Sequence, residues 1–250
     1  MRNIFLISHY ELRKHFRNPL TYLIFVLTLV YLGAILYIPL FSTQIQYKQQ
    51  VQFGVESFFS QLLLSLLFIV PIITMNIFSV NNQYQIKILF SSPISPAQVI
   101  VGKWLSLLFL FIILILSTSI YPITLNFISI PRIDIGIFIC AYFGIVLILS
   151  LFTASGIASS VIFHNPIISY LVSILFLMIL MSGTLFNQSR VAPIITTFKY
   201  INWYEQYSIT FLKGIIHIYP VIYFLSVTIF FLALSTLLIK QRVWDNEKAK

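Results

Sequence analysis

The sequence predicts an all-α integral membrane protein with six transmembrane helices, and two observations support this fold class. Only 8% of the 250 residues are charged and 59% are apolar or aromatic, whereas soluble domains carry about 25% charged residues. In addition, the stretches 57–86, 104–131 and 135–189 contain no Asp, Glu, Lys or Arg. Because roughly 20 apolar residues cross the hydrocarbon core of a bilayer, each stretch predicts one span, and the last predicts two.

Residues 2–17 predict a surface helix that precedes the first span. Phe5, Leu12 and Phe16 recur at i, i+7 and i+11 on one helical stripe. Basic residues surround this stripe, at Arg13, Lys14 and Arg17. An apolar stripe with basic neighbours is typical of a helix that lies at the membrane interface. Charges as far as Arg17, followed by a long apolar stretch, argue against a cleavable signal peptide.

The chain is expected to form a single transmembrane domain over residues 1–250. The spans are predicted at about residues 20–40, 58–80, 104–125, 136–162, 167–185 and 220–239. Pro71 predicts a kink in the second span, and the polar, Gln-rich segment 41–55 is interpreted as a loop. Ten Lys and Arg residues fall on the side of the two termini and five on the other. Because cytoplasmic loops are enriched in these residues, both termini are predicted to be cytoplasmic.

The sequence contains no recognisable catalytic motif. The four histidines have no metal-ligand spacing, and neither a nucleophile elbow nor a Gly-Lys-Ser/Thr phosphate-binding loop is present. No enzymatic activity and no cofactor are therefore expected in this chain. The predicted spans contain essentially no ionisable side chain, which disfavours an ion-coupled carrier or a channel. The net charge of +9 is attributed to topology instead of nucleic-acid binding.

The polar segment 81–98, between the second and third spans, predicts a short cytoplasmic helix. Ile86, Leu89 and Phe90 share one helical face at i, i+3 and i+4, and Pro93 and Pro96 end the helix. Such a helix can dock into a groove of a partner and transmit its motion to both spans. The alternative is a helix that lies at the lipid interface. The predicted coupling residues are Gln83, Tyr84, Ile86, Lys87, Leu89 and Phe90.

The segment 187–219 is long for a structureless connection and is too aromatic for a solvated one. Pro193 and Gly214 supply breaks between two short helices. Backbone that enters a membrane must satisfy its own polar groups, so helices packed against the spans are the feasible form. We interpret this segment as an outer gate, and the alternative is an anchor that lies flat on the bilayer. The predicted gate residues are Trp203, Tyr204, Tyr207 and Phe211.

Several short motifs occur in a fixed order along nearly the whole chain. The first group comprises residues 71–75 (PIITM), Phe78, residues 89–95 (LFSSPIS) and residues 98–103 (QVIVGK). The second group comprises residues 134–136, 142–144 (YFG), 156–160 (GIASS), Asn165, 211–214 (FLKG), 223–226 and 242–244. These motifs resemble those of ABC type-2 transporter permeases, closest to the branch of gliding-motility and copper-enzyme-maturation permeases. The chain departs from the family at 80–86, where acidic residues and a Gly-Thr pair are usual.

The resemblance implies six spans, an N-terminal elbow helix, a coupling helix at about 82–92, and short re-entrant helices between spans five and six. It also implies two permease subunits, identical or homologous, that sit on ABC-type ATPase subunits in a bacterial inner membrane. ATP and Mg would be held by the ATPase subunits. The implied function is that of an exporter permease. The alternative is a membrane scaffold or motor-type subunit of a motility or enzyme-maturation complex that moves no solute.

Overall fold

The computed structural model describes residues 2–42, 47–78, 95–128, 135–163, 165–181 and 202–248. Within these ranges the chain forms helices and short connections, without any strand. The helices are α1 (Arg2–Arg17), α2 (Pro19–Ser42), α3 (Tyr47–Thr74), α4 (Pro96–Thr118), α5 (Ile120–Ile128), α6 (Ile135–Ile162), α7 (Pro166–Met181), α8 (Trp203–Ile209) and α9 (Ile218–Lys248). A 3₁₀ turn, Phe211–Lys213, follows α8.

The described residues include five helical stretches that are long and apolar enough to cross a membrane. These are Pro19–Tyr37, Glu56–Thr74, Pro96–Thr124, Ile135–Ile162 and Ile218–Gln241. They correspond to the first, second, third, fourth and sixth predicted spans. The chain therefore has the helices of a multi-pass membrane protein.

The fifth predicted span, at 167–185, has a different outcome. The structure describes α7 over Pro166–Met181, which is 16 residues long. This is shorter than the roughly 20 residues that a span needs, and residues 182–185 lie outside the described ranges. A sixth span therefore stays a prediction.

Helix α3 differs from its predicted boundaries at both ends. It begins at Tyr47, inside the segment that was predicted as a loop, because a polar helical turn outside the hydrocarbon core satisfies its backbone as well as an apolar turn does. It ends at Thr74 instead of Val80, one turn after Pro71. Residues 75–78 then form turns, in which the Ile77 amide donates to the Thr74 carbonyl at 3.1 Å.

The third predicted span is broken at Ser119, between α4 and α5. Pro122 explains the break, because it has no N–H to donate to the Thr118 carbonyl and its ring crowds that carbonyl. At the break, the amide and the hydroxyl of Ser119 both donate to the Leu116 carbonyl, at 3.2 Å and 2.6 Å, respectively. The span also begins earlier than predicted, at Pro96 instead of Trp104.

The core lies around α6, which packs against α3, α4, α7 and α9. All residues from Leu147 to Val161 are buried, although the helix has no polar face. The last three turns of this stretch are rich in small residues, which let backbones approach closely in membrane proteins. Gly156 is the tightest point, because a Cβ there would overlap the Thr74 hydroxyl oxygen. Helices α3 and α6 therefore cross at near contact.

Candidate functional site

Helix α1 docks against α4 through one face. Ile7 and Ser8 are buried, and a Cβ at Gly102 would lie 2.9 Å from Ile7 Cγ2 and 3.2 Å from the Ile4 carbonyl oxygen. Glycine at position 102 thus permits the close approach of the two helices. The helix predicted at residues 2–17 is present, and its position relative to a membrane stays a prediction.

The stripe predicted on α1 is not a single membrane-facing surface, and this corrects the sequence interpretation. Leu12 and Phe16 pack against the core, whereas Phe5 is 71% exposed. Arg13 and Arg17 are exposed and Lys14 is half-buried. The stripe divides because the docked face of α1 is set by contact with α4, which the apolar pattern of α1 alone does not encode.

A buried ion pair fastens α1 to α4. Lys103 Nζ lies 2.6 Å from Glu11 Oε1, and the side chains are 8% and 12% exposed, respectively. The same ammonium lies 5.3 Å from the centroid of the Phe78 ring, within the distance of a cation–π contact. We refer to Glu11, His15, Phe78 and Lys103 as the ion-pair cluster. It joins α1, the second turn of α4 and the residues that follow α3.

Phe78 is also tied to the central helix α6. Its amide donates to the Ser160 hydroxyl at 2.9 Å, and the Ser160 hydroxyl donates to the Met75 carbonyl at 3.2 Å. Ser160 thereby satisfies backbone groups that α3 leaves open where it ends. The end of α3 is held against α6 immediately before residue 79.

On the other side of segment 79–94, α4 begins with a defined cap. The Ser95 hydroxyl accepts from the Gln98 amide at 3.4 Å, and the Gln98 side chain accepts from the Ser95 amide at 3.3 Å. This reciprocal pair is a capping box, and Pro96 occupies the first helical turn. The coupling residues predicted from the sequence, at 83–90, lie outside the described residues. Both flanks of their segment are fixed.

Burial and neighbouring charges in the ion-pair cluster shift the pKa values of two side chains on α1. Burial by itself raises the pKa of Glu11, but Lys103, together with Lys14 and His15, more than offsets it, so this pKa lies below its usual value of 4.5. Burial lowers the pKa of His15 below its usual 6.5, and the positive charges of Lys103 and Lys14 add to this effect against Glu11. Glu11 is therefore ionised and His15 neutral near pH 7.

At the other end of the bundle, the predicted gate residues lie on α8 and the 3₁₀ turn. Asn202 caps α8, since its side-chain oxygen accepts from the amides of Tyr204 at 3.0 Å and Glu205 at 3.4 Å. Trp203, Tyr207 and Phe211 are fully buried, while Tyr204 is half-buried. We call Trp203, Tyr204, Tyr207 and Phe211 the aromatic wedge. Its buried members pack inside the bundle, and the position of the wedge relative to a membrane stays a prediction.

Each polar tip of the wedge has a hydrogen-bond partner on a different helix. The Trp203 indole N–H donates to the Leu177 carbonyl at 3.0 Å. The Tyr207 hydroxyl donates to the Ala141 carbonyl at 3.3 Å, and the Tyr204 hydroxyl donates to the Ser60 hydroxyl at 3.3 Å. The wedge therefore joins α7, α6 and α3, as buried polar groups require.

Two glycines make room for the wedge. A Cβ at Gly144 would lie 2.6 Å from the Phe211 ring, so the ring lies directly on the α6 backbone. Gly214 ends the 3₁₀ turn with φ of 73°, a left-handed conformation that favours glycine. Its carbonyl accepts from the Cys140 thiol at 3.5 Å. The predicted break at Gly214 is present, and Pro193 lies outside the described residues.

Lys103 is the functional residue that the sequence analysis missed. It was counted among the ten Lys and Arg residues on the side of the termini, and the spans were expected to hold essentially no ionisable group. The structure instead places it within the stretch Pro96–Thr124, because α4 begins two turns earlier than predicted. The sequence signal is one basic residue among the apolar residues of α4, whereas its partner, Glu11, the only acidic residue of α1, is identified only by the structure.

No model of a known protein family and no curated protein sequence matches this chain. The resemblance to ABC type-2 permeases therefore rests on the motifs quoted from the sequence. Within the described ranges, no group of three His, Cys, Asp or Glu side chains is placed to hold a metal ion.

Proposed function

We propose that this chain is the permease subunit of an ABC type-2 exporter. In this proposal it pairs with a second permease, identical or homologous, and is driven by separate ATPase subunits in a bacterial cytoplasmic membrane. The observation that carries the proposal is that motif residues from distant parts of the chain meet beside segment 79–94. Phe78, Gly102, Lys103 and Ser160 belong to three of the quoted motifs, and they join α1, α3, α4 and α6.

This arrangement supports a coupling role for segment 79–94. A partner that pushes on the segment would act on Phe78, which is bonded to α6, and on Ser95, which caps α4. Through Lys103 the displacement would also reach Glu11 on α1. The force would be distributed over helices that pack tightly, and such helices move as bodies instead of deforming.

The remaining features of the proposal concern topology. Six spans require that α7 continue into residues 182–185, and α1 then acts as the elbow helix at the inner surface. The aromatic wedge acts as the re-entrant part of the outer gate. In support, Trp203 lies 5.0 Å from Phe152, whereas Gly214 approaches Ile137. At 1.5 Å per residue these contacts span about 22 Å along α6, a depth that exceeds an interfacial position.

The coupling role is tested by the double substitution L89D/F90D, in a tagged chain purified from its native host. A desolvated charge in an apolar groove costs several kcal/mol, so co-purifying ATP hydrolysis and the ATPase subunit identified by mass spectrometry should both be lost. The control S91D/S92D adds the same charges beside the predicted apolar stripe of Ile86, Leu89 and Phe90, and should retain the ATPase. Normal recovery of the ATPase with L89D/F90D would refute the coupling role.

The proposed topology is tested by cysteine labelling in a C140S background. A cysteine at Asn187 or Gln46 should react with an impermeant thiol reagent on intact cells, and one at Asn246 only after lysis. Inverted labelling would overturn the orientation.

The scaffold alternative differs in ATP turnover, because an exporter hydrolyses ATP faster with its solute and a scaffold shows no such stimulation. Cross-linking Ile209→Cys between paired permeases should block that turnover if the wedge is a gate.

A further inference from the structure

Helix α1 presents an outward face that no other described element covers. Its members recur about one turn apart and change in character along the helix. The face comprises Phe5, Leu6, His9, Tyr10, Arg13 and Arg17. Phe5, Leu6 and Tyr10 are 71%, 62% and 63% exposed, respectively. The first half of the face is thus apolar and aromatic, and the second half is cationic.

Helix α1 cannot turn about its axis to bury these apolar side chains, because its opposite face is docked on α4. Ile7 is packed over Gly102, and the pair of Glu11 with Lys103 fixes the rotation of the helix about its axis. Glu11 is the one acidic residue of α1, and it is turned towards α4. The outward face therefore carries positive charge without a carboxylate of its own helix.

The position of α1 in the chain sets the level of this face. Only Asn18 separates Arg17 from Pro19, the first residue of a stretch long enough to span a membrane. The turn is tight, because the Asn18 amide donates to the His15 carbonyl at 3.2 Å and the Asn18 carbonyl accepts from Thr21 at 3.1 Å. Arg17 consequently lies within two residues of the apolar stretch, which corresponds to the level of lipid headgroups in the proposed topology.

We propose that this face of α1 binds anionic phospholipid headgroups of the adjacent leaflet. Arg13 and Arg17 would donate to the phosphate oxygens, for which the guanidinium fork is suited, while Phe5, Leu6 and Tyr10 insert beside the acyl chains. This rests on the membrane position of α2 in the proposed function and does not depend on the ATPase. The ion-pair cluster acts here as a positioning element that aims the basic residues at the lipid.

The test uses the full chain in the C140S background with a fluorophore on Tyr10→Cys, reconstituted into phosphatidylcholine nanodiscs. Brominated phosphatidylglycerol or brominated phosphatidylcholine is added as quencher. With Arg13 and Arg17 present, brominated phosphatidylglycerol should quench the fluorophore more strongly than brominated phosphatidylcholine does. In R13Q/R17Q the apparent association constant for brominated phosphatidylglycerol should fall about 25-fold, because each basic side chain near an anionic surface contributes roughly a factor of five. The control K213Q/K240Q removes two exposed lysines elsewhere and should quench like the parent.

Unchanged melting of R13Q/R17Q in detergent excludes misfolding as the cause. Equal quenching by both lipids in the parent, or an equal loss in the control, would overturn headgroup selectivity. Absence of quenching by either lipid would show that α1 does not touch the bilayer. Each of these results is separable from failure of the proposed function, because co-purification of ATPase activity with the chain is measured on its own.

Discussion

The ion-pair cluster and the aromatic wedge fasten opposite ends of the same bundle with different chemistry. A glycine permits close packing near each of them: Ile7 of α1 lies over Gly102 on α4, and Phe211 of the wedge lies over Gly144 on α6. The wedge then relies on buried rings with neutral hydrogen bonds, and the cluster relies on one buried pair of charges. Along α6 the wedge contacts Ala141 through Tyr207 and Phe152 through Trp203. Ser160, which bonds to Phe78 of the cluster, lies eight residues, or about 12 Å of helix, beyond Phe152.

Substitutions at the two ends should therefore lower the stability of the fold for different physical reasons. A ring that is removed leaves a cavity, whose cost depends on how far the neighbours relax. A charge that is removed leaves its partner buried and uncompensated, whereas removal of both charges can be nearly neutral. The cluster is thus sensitive to single changes and to pH, and the wedge is sensitive to volume.

The largest effect is expected for Trp203→Ala. The substitution removes a fully buried ring and its bond to the Leu177 carbonyl, so the free energy of unfolding should fall by about 4 kcal/mol. Denaturant titration in mixed micelles measures it. Ile209→Ala, at a 46% exposed position of the same helix, serves as control and should cost less than about 1 kcal/mol. Equal losses for the two variants would contradict the buried wedge.

The next effect concerns the ion pair. Lys103→Met should lower the free energy of unfolding by about 3 kcal/mol, because Glu11 is left buried without its partner. The double variant E11L/K103M should recover most of that loss, since no uncompensated charge remains. Unfolding measurements on the two single variants and the double variant give the coupling energy. Additive losses would show that Glu11 and Lys103 do not act as a pair.

A smaller effect is expected for Tyr207→Phe. The ring stays in place and only the hydroxyl that donates to the Ala141 carbonyl is lost, so the cost should be about 1 kcal/mol. The same unfolding assay detects it, with Tyr204→Phe as the matched change at a half-buried position. A loss near that of Trp203→Ala would mean that the hydrogen bond, and not volume, holds the wedge.

The smallest effect is the response to mild acid, which should appear only at the cluster. The folded pKa values of His15 and Glu11 both lie below the unfolded ones, so each contributes stability that is lost as pH falls. His15 responds first, below pH 6.5, and Glu11 only below pH 4.5. Hydrogen exchange in α1 should therefore accelerate below pH 6.5, after correction for intrinsic rates, while α8 is unchanged.

The variant His15→Gln separates the two stages of this response. It should remove the change that begins at pH 6.5 and leave the one at lower pH. An equal acceleration in α1 and α8 would mean that acid loosens the whole bundle, and the contrast between its two ends would then be lost.

Much of the helix content was predictable from composition, and some local breaks were predictable from single residues. Helix α6 matches its predicted span within a residue, and α1 matches its predicted range. The break at Ser119 was missed although Pro122 stood inside the predicted span as its cause. The beginning of α3 was missed because polarity was taken as evidence for a loop, whereas it marks only where a helix leaves the apolar layer.

The candidate site was less predictable. Trp203 and Tyr207 were selected from the sequence because Trp and Tyr are common at membrane interfaces, yet both are fully buried in the structure. Lys103 was treated as a topological charge, and its pairing with Glu11 joins residues that are 92 positions apart. No local pattern reports such a contact, since it depends on how α1 is folded back onto α4.

The sequence by itself determined that this protein is helical and that it has several stretches able to cross a membrane. The physical reason is that backbone within hydrocarbon must satisfy its own polar groups, so a long apolar segment has few alternatives to a helix. Only the tertiary structure decided which face of each helix is buried. Apolar side chains suit lipid and protein interior alike, so the pattern along α6 has no polar face to indicate its neighbours. The small residues of α6, the glycines at 102 and 144, and the pair of Glu11 with Lys103 made that choice.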